Sequence, residues 1–117
     1  MTETDKLYYT EMLKRDRLIP FFDKDKLICF ITFFIGNNKD KYITENPWEI
    51  LDDEPNGKVC IISQLLTDKT SHKENHKLCI QVWKRFKDYI KLNFPEVKEI
   101  CWHRFLNGKI NIHKKEI

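Results

Sequence analysis

The spacing of apolar residues changes along this chain, and each spacing predicts a different element. Residues 58–66 (Lys-Val-Cys-Ile-Ile-Ser-Gln-Leu-Leu) are rich in apolar and β-branched residues without a helical period, which predicts a buried strand. Across residues 75–94 apolar positions recur every three or four residues, which is typical of a helix with one buried side. Pro95 ends that helix, and residues 97–104 are again predicted as a strand. This order predicts a right-handed crossover between two parallel strands.

The position of the crossover indicates where a ligand would bind. Open sheets with such connections bind ligands at the carboxyl ends of their strands. The relevant segment is therefore the polar loop between the strand at residues 58–66 and the helix at residues 75–94.

Two segments nearer the N-terminus complete the predicted core. Residues 27–35 (Leu-Ile-Cys-Phe-Ile-Thr-Phe-Phe-Ile) are apolar on both alternating sides, which predicts a strand in the middle of a sheet with both faces covered. Residues 4–17 carry an amphipathic pattern and are predicted as a helix, with Thr4 as its cap and Asp5 in its first turn. This helix is expected to serve packing.

Proline and acidic residues mark the connections between these elements. Pro20 ends the first helix, and residues 21–25 are predicted as a turn. Residues 46–49 (Asn-Pro-Trp-Glu) combine a capping residue, a proline and an acid, which predicts the start of a short helix that ends within residues 52–57.

The C-terminal segment has the strongest turn signal in the chain. The pair Asn107-Gly108 lies between two extended stretches, which predicts a tight hairpin and a final strand over residues 109–114. An antiparallel hairpin added to a parallel pair makes the predicted sheet mixed, so the fold class is α+β.

Composition narrows the class of protein. A chain of 117 residues suits a single domain over residues 1–117. Hydrophobic residues at 41% and aromatic residues at 13% argue against disorder, and no apolar run is long enough to cross a membrane. The start, Met-Thr-Glu-Thr-Asp, lacks the basic and apolar regions of a secretory signal. We therefore expect a cytoplasmic protein without a membrane partner.

Charge and cysteine usage leave several sites open. The net charge of +3 does not by itself indicate nucleic acid, although one helix face is basic. A solvated face and a nucleic-acid surface are both compatible with this pattern, which comprises Lys77, Lys84, Arg85, Lys87 and Lys91. The cysteines are predicted as buried thiols in a reducing compartment; they are Cys29, Cys60, Cys79 and Cys101.

Two groups of residues have the spacing of cation ligands. His72, His76 and Cys79 lie at the predicted helix start, but a structural zinc site needs four ligands and no second close pair is present. The acidic run at residues 52–54 offers oxygen ligands, although three acids before a proline are typical of a solvated turn. We therefore predict no metal.

The order of elements resembles the GNAT superfamily of N-acetyltransferases over residues 26–117. The segment at residues 93–104 (Asn-Phe-Pro-Glu-Val-Lys-Glu-Ile-Cys-Trp-His-Arg), followed by a short basic hairpin, is similar to the end of minimal GNAT-like proteins of phages and mobile elements. This resemblance implies a GNAT-like mixed twisted sheet with flanking helices, ending in a C-terminal β-hairpin.

The resemblance also implies a binding site for acetyl-CoA. In the family, the cofactor lies in a splay between the strands that correspond to residues 58–66 and 99–104, and its pyrophosphate lies at the start of the next helix, where backbone N–H groups and the helix dipole favour anions. The positions that correspond to cofactor-binding ones are Leu65, Leu66, Thr67, Lys69, Ser71, Lys73 and His76. His103 is the candidate general base, and solvent near Gln64 and Glu99 is the alternative.

Two functional hypotheses remain open at this level. The first is an acyl-CoA-dependent N-acetyltransferase, either active or degenerate, that acts on an amine substrate. The second is a non-catalytic phage or mobile-element protein on the same scaffold, binding or inhibiting a host protein or nucleoprotein complex. The second is motivated by a loop at residues 67–76 without glycine and by the lack of a counterpart to the family's tyrosine general acid.

Overall fold

A computed structural model describes residues 2–42, 49–67, 76–106 and 109–117. Over these residues the fold is a mixed five-stranded sheet with two α-helices. The helices are α1 (Glu3–Lys14) and α2 (His76–Asn93), and a 3-10 turn spans Lys39–Tyr42. The strands are β1 (Leu18–Asp23), β2 (Lys26–Gly36), β3 (Val59–Thr67), β4 (Glu99–Leu106) and β5 (Lys109–Glu116).

The strands lie in the sheet in chain order, β1-β2-β3-β4-β5. The β3–β4 pair is parallel and is connected through α2, as predicted from the strand, helix and strand pattern. The other three pairs are antiparallel, so the sheet is mixed. The antiparallel β4–β5 pair confirms the strands of the C-terminal hairpin, while its turn at residues 107–108 lies outside the described residues.

The sheet is covered on both faces, which explains why β2 is apolar at nearly every position. On one face, Phe33 and Ile35 pack with Phe86 and Ile90 of α2. On the other, Phe34 belongs to a second cluster that includes Tyr8 and Met12 of α1. The predicted double burial of this strand is confirmed. Three of the four predicted buried thiols are described, and all three are buried; they are Cys29, Cys60 and Cys101.

The predicted amphipathic pattern of α2 is also confirmed where side chains are described. Val82, Phe86 and Ile90 are buried on the sheet side. On the opposite side the polar positions are exposed, namely Gln81, Lys84, Asp88 and Lys91.

The N-terminal region differs from the prediction in two ways. The cap of α1 is Thr2, not Thr4: its hydroxyl accepts from the Asp5 N–H, and the Asp5 carboxylate accepts from the Thr2 N–H, each at 3.2 Å. The helix ends at Lys14 rather than continuing to Arg17. The predicted turn at residues 21–25 is wrong as well, because Leu18–Asp23 is an edge strand and an edge tolerates Pro20.

The helix predicted from Asn46 is wrong wherever the structure describes it. Residues 46–48 lie outside the described part, and residues 49–54 contain no helix. Instead, the Glu54 N–H donates to the Ile35 carbonyl at 2.7 Å, and the Asp53 carboxylate accepts from the Ile35 N–H at 2.7 Å. The acidic segment thereby satisfies backbone groups at the end of β2, which a helix could not do.

Candidate active site

The candidate site is the gap that opens where β3 and β4 part. The two strands pair at Val59–Glu99, Cys60–Ile100 and Ile61–Cys101, and among the described residues their ladder goes no further. Both strands nevertheless continue, to Thr67 and Leu106. We refer to the space between them beyond Ile61 and Cys101 as the notch. It lies at the carboxyl ends of two parallel strands, where ligands of open sheets bind.

A bulge in β3 lies beside the notch. Thr32 of β2 pairs with Gln64, and Phe33 pairs with Ile62, so Ser63 is an extra residue in β3. An extra residue bends the strand that carries it and redirects its side chains. As a result, neighbouring residues of β3 both meet α1: Ser63 contacts Tyr8, and Gln64 contacts Tyr9.

A cavity of about 670 Å³ occupies the notch. Most of its walls are apolar, and this apolar set comprises Ile31, Ile62, Leu65, Val82, Trp83 and Trp102. The polar groups that line it are Ser63, His103 and Lys115. A largely apolar cavity with a few convergent polar groups is the usual form of a small-molecule site.

Aromatic rings form the wall on the α2 side of the sheet. The rings of Trp83 and Trp102 meet edge to face, with centroids 5.4 Å apart, and the Trp102 ring stacks on the His113 ring at 5.7 Å. The contact with Trp83 fixes the position of Trp102, so the wall is held by packing between α2 and β4.

Three hydroxyl groups form a cluster on the α1 side of the sheet, and Ser63 is the member of this cluster that lines the notch. The Tyr8 hydroxyl lies 2.7 Å from the Thr32 hydroxyl and donates to the Ser63 hydroxyl at 2.8 Å. Tyr8 is fully buried, and desolvation raises the pKa of its phenol against the opposing effect of the hydrogen bonds to Ser63 and Thr32. The phenol therefore stays protonated and keeps its proton available for donation.

His103 follows Trp102 on β4, and alternation along a strand directs it to the opposite side of the sheet. It is half-buried and lines the cavity. Desolvation lowers the pKa of its imidazole, so the neutral form dominates at neutral pH. A neutral imidazole at a cavity wall is the form that accepts a proton.

The alternative base positions are less well placed. Glu99 pairs with Val59 at the closed end of the β3–β4 ladder, away from the notch. The Gln64 side-chain oxygen accepts from the Tyr9 hydroxyl at 2.8 Å. Of the base candidates named from the sequence, only His103 lines the cavity.

The predicted cofactor positions are described only in part. Leu65 lines the cavity and is 57% exposed. Leu66 and Thr67 end β3, and His76 begins α2, but their side chains are outside the described set. Lys69, Ser71 and Lys73 lie outside the described residues, as does His72 of the alternative metal site. Among the side chains that the structure describes, no cluster of metal-ligating residues is found.

The residues missed from the sequence are Tyr8, Thr32 and Ser63. The sequence predicts only a packing role for the helix that contains Tyr8, and it places Ser63 in a buried strand without a functional role. One signal was present: Thr32 and Ser63 are hydroxyl residues within otherwise apolar strands, and buried hydroxyls require partners. The sequence does not show which residue supplies the partner.

The acidic segment after β2 has a structural role. The Asp53 carboxylate pairs with the Arg17 guanidinium at 2.7 Å, and both side chains are only 12% exposed. The guanidinium also lies over the Phe94 ring, 4.8 Å from its centroid. The sequence predicts a solvated turn for this acidic segment, but at Asp53 the side chain is instead mostly buried in an ion pair with Arg17.

No helix in the described part of the chain has the length and apolar character needed to cross a membrane. No protein-family model matches this chain, and no curated protein matches it.

Proposed function

We propose that this protein is a GNAT-like N-acetyltransferase whose acyl-CoA donor binds in the notch. The observation that supports the proposal best is the parting of β3 and β4 after three paired positions, with a cavity of about 670 Å³ beyond them. Cavities of several hundred cubic ångströms are the size that bury a small-molecule ligand.

The notch suits the pantetheine arm of coenzyme A in its chemistry. The arm is a flexible chain with two amide groups, and strand edges beyond Ile61 and Cys101 offer backbone donors and acceptors to such amides. The apolar walls around Trp83 and Trp102 suit the methylene groups and the thioester. The family resemblance implies that the pyrophosphate binds at the start of α2 at His76, and it implies Lys69, Ser71 and Lys73 as further donors.

The transfer reaction requires one proton acceptor. The nitrogen of the amine substrate attacks the thioester carbonyl carbon, a C–N bond forms, and the C–S bond breaks. The nitrogen loses one proton and the coenzyme A thiolate gains one. His103 is assigned as the general base, directly or through water, because its imidazole is neutral and lines the cavity.

Calorimetric titration with acetyl-CoA tests the proposal. We expect saturable binding that weakens roughly tenfold in Trp102→Ala, because that ring forms the cavity wall. Leu92→Ala is the matched control, since Leu92 is 82% exposed and does not line the cavity. His103→Gln is expected to bind like the wild type but to lose acetyl transfer. Absence of heat at millimolar acetyl-CoA would rule out the proposed function.

One observation favours a second candidate, a binding protein that acts on a host protein or nucleoprotein complex. The outward side of α2 exposes Lys84, Arg85 and Lys91, and Lys87 beside them is half-buried. Such a face suits an acidic partner or nucleic acid. The side chain of Lys77 is outside the described set. A partner recovered by pull-down, together with no heat from acetyl-CoA, would favour this candidate.

A further inference from the structure

We infer that the Ser63 hydroxyl donates a hydrogen bond to the carbonyl oxygen of the bound acyl group, and that Tyr8 fixes the direction of this donation. This inference rests on the proposed function of the notch. It adds a polarising residue on β3 to the general base assigned on β4.

The direction follows from counting protons along three hydroxyls. Tyr8 has one phenolic proton, and it is donated to the Ser63 oxygen at 2.8 Å. The 2.7 Å contact between Tyr8 and Thr32 therefore has Thr32 as the donor. Since the Ser63 oxygen is the acceptor from Tyr8, its own proton points to a different acceptor.

The site of that acceptor is the notch. Among the side chains and backbone groups that the structure describes, the Ser63 hydroxyl has the Tyr8 hydroxyl as its hydrogen-bond partner. Ser63 is half-buried and lines the cavity that also contains His103. The bulge at Ser63 holds it against Tyr8 while the strand runs along the cavity. An acceptor atom of a ligand in the cavity would receive the proton.

A carbonyl oxygen is the acceptor that benefits most from this arrangement. During acyl transfer this oxygen gains negative charge, and a donor held in place beforehand stabilises that charge. The raised pKa of the Tyr8 phenol keeps it protonated over the neutral pH range, so its proton remains available for donation to Ser63. Because Tyr8 is fully buried, water does not compete for its proton.

The test compares two ligands that differ only at the carbonyl. Acetyl-CoA carries the thioester carbonyl, whereas S-ethyl-CoA has a methylene group in its place. We expect the wild type to bind acetyl-CoA about 2–10-fold more tightly, which is the range for one neutral hydrogen bond. In Ser63→Ala the two ligands should bind equally, and the affinity for S-ethyl-CoA should remain that of the wild type.

The variants separate a positioning role from a merely structural one. Ser63→Ala should lower kcat by roughly 10²-fold and raise the KM for acetyl-CoA by no more than the roughly 2–10-fold lost from binding, because the donor acts mainly on the developing charge. Tyr8→Phe should reduce both the ligand preference and kcat, since the Ser63 hydroxyl then rotates. Tyr9→Phe is the matched control: Tyr9 donates to Gln64 rather than Ser63, so the ligand preference should stay unchanged.

The outcomes distinguish failure of this inference from failure of the proposed function. If neither ligand binds the wild type, the proposed function fails and this inference with it. If both ligands bind and Ser63→Ala keeps the wild-type preference for acetyl-CoA, the inference is overturned while the proposed function stands. Thermal denaturation of each variant confirms that the fold is retained during the comparison.

Discussion

Gly57 occupies a position where the backbone of one segment touches that of another. A Cβ atom at Gly57 would lie 2.5 Å from the carbonyl carbon of Gly36, at the end of β2. A Cβ at Gly36 would lie 2.3 Å from the Tyr42 ring. The two glycines therefore allow the segment before β3 to return closely along β2.

We expect Gly57→Ala to destabilise the protein by about 1–3 kcal/mol. The added Cβ atom would clash with backbone atoms of Gly36, which cannot move away as a flexible side chain could. Urea denaturation measures the change. Asn56→Ala is the control, since Asn56 is exposed and its substitution adds no atoms at the contact. An unchanged midpoint for Gly57→Ala would show that the two backbones do not approach as closely as described.

At the residue scale, the sequence predicts which side chains are buried better than it predicts which side chains contact each other. The strand at residues 27–35 is predicted to be buried because it is apolar on both sides. This is correct for most of the strand, whereas Leu27 at its start is 43% exposed and Phe30 is partly buried. The Arg17–Asp53 pair was not predicted, because its members are 36 positions apart and belong to segments of different patterns. Hydroxyl contacts such as Tyr8 with Ser63 depend on the same long-range geometry.

At the scale of elements, the turn between β1 and β2 contains a strained residue. Lys24 has a φ of 57°, in the left-handed region that is unfavourable for residues with a Cβ atom. It lies between Asp23 and Lys26, which pair across the hairpin. This turn makes β1 possible as the strand after α1.

Lys24→Gly should stabilise the protein by about 0.5–1 kcal/mol. Glycine removes the steric cost of a Cβ atom at this φ, and this gain exceeds the additional chain entropy that glycine loses on folding. The melting temperature should rise by roughly 2–4 °C. Asp25→Gly is the matched control: Asp25 does not have a positive φ, so added flexibility should bring no gain. A lower melting temperature for Lys24→Gly would contradict this account of the turn.

The boundaries of elements with a strong apolar periodicity were predicted to within a few residues. Elements inferred from single proline or capping residues were predicted wrongly. The boundaries of β3, α2 and β4 differ from the predicted ones by at most two residues. In contrast, β1 was missed because Pro20 was interpreted as a stop, although a proline is compatible with a strand at the edge of a sheet. The helix expected after Asn46 relied on capping residues without an apolar period to support them.

At the scale of the molecule, the notch arises from the sheet rather than from any one motif. The parallel pair could be predicted from the crossover, and so could the edge of the sheet where a ligand would bind. The length of the β3–β4 ladder could not be predicted, because it depends on the bulge at Ser63 and on aromatic packing between α2 and β4. The cavity is therefore a property of the assembled layers.

The two cores lie on opposite faces of one sheet, so they should unfold together. Met12 is fully buried on the α1 side, whereas Trp83 and Trp102 lie on the α2 side. We expect Met12→Ala to cost about 2–5 kcal/mol, and to lower the urea midpoint of tryptophan fluorescence as much as that of circular dichroism. A Trp48→Phe background restricts the fluorescence signal to the α2 side. A fluorescence midpoint that stays in place while the circular dichroism midpoint falls would mean that α1 detaches by itself, and the Tyr8 hydroxyl would then leave Ser63 before the notch is lost.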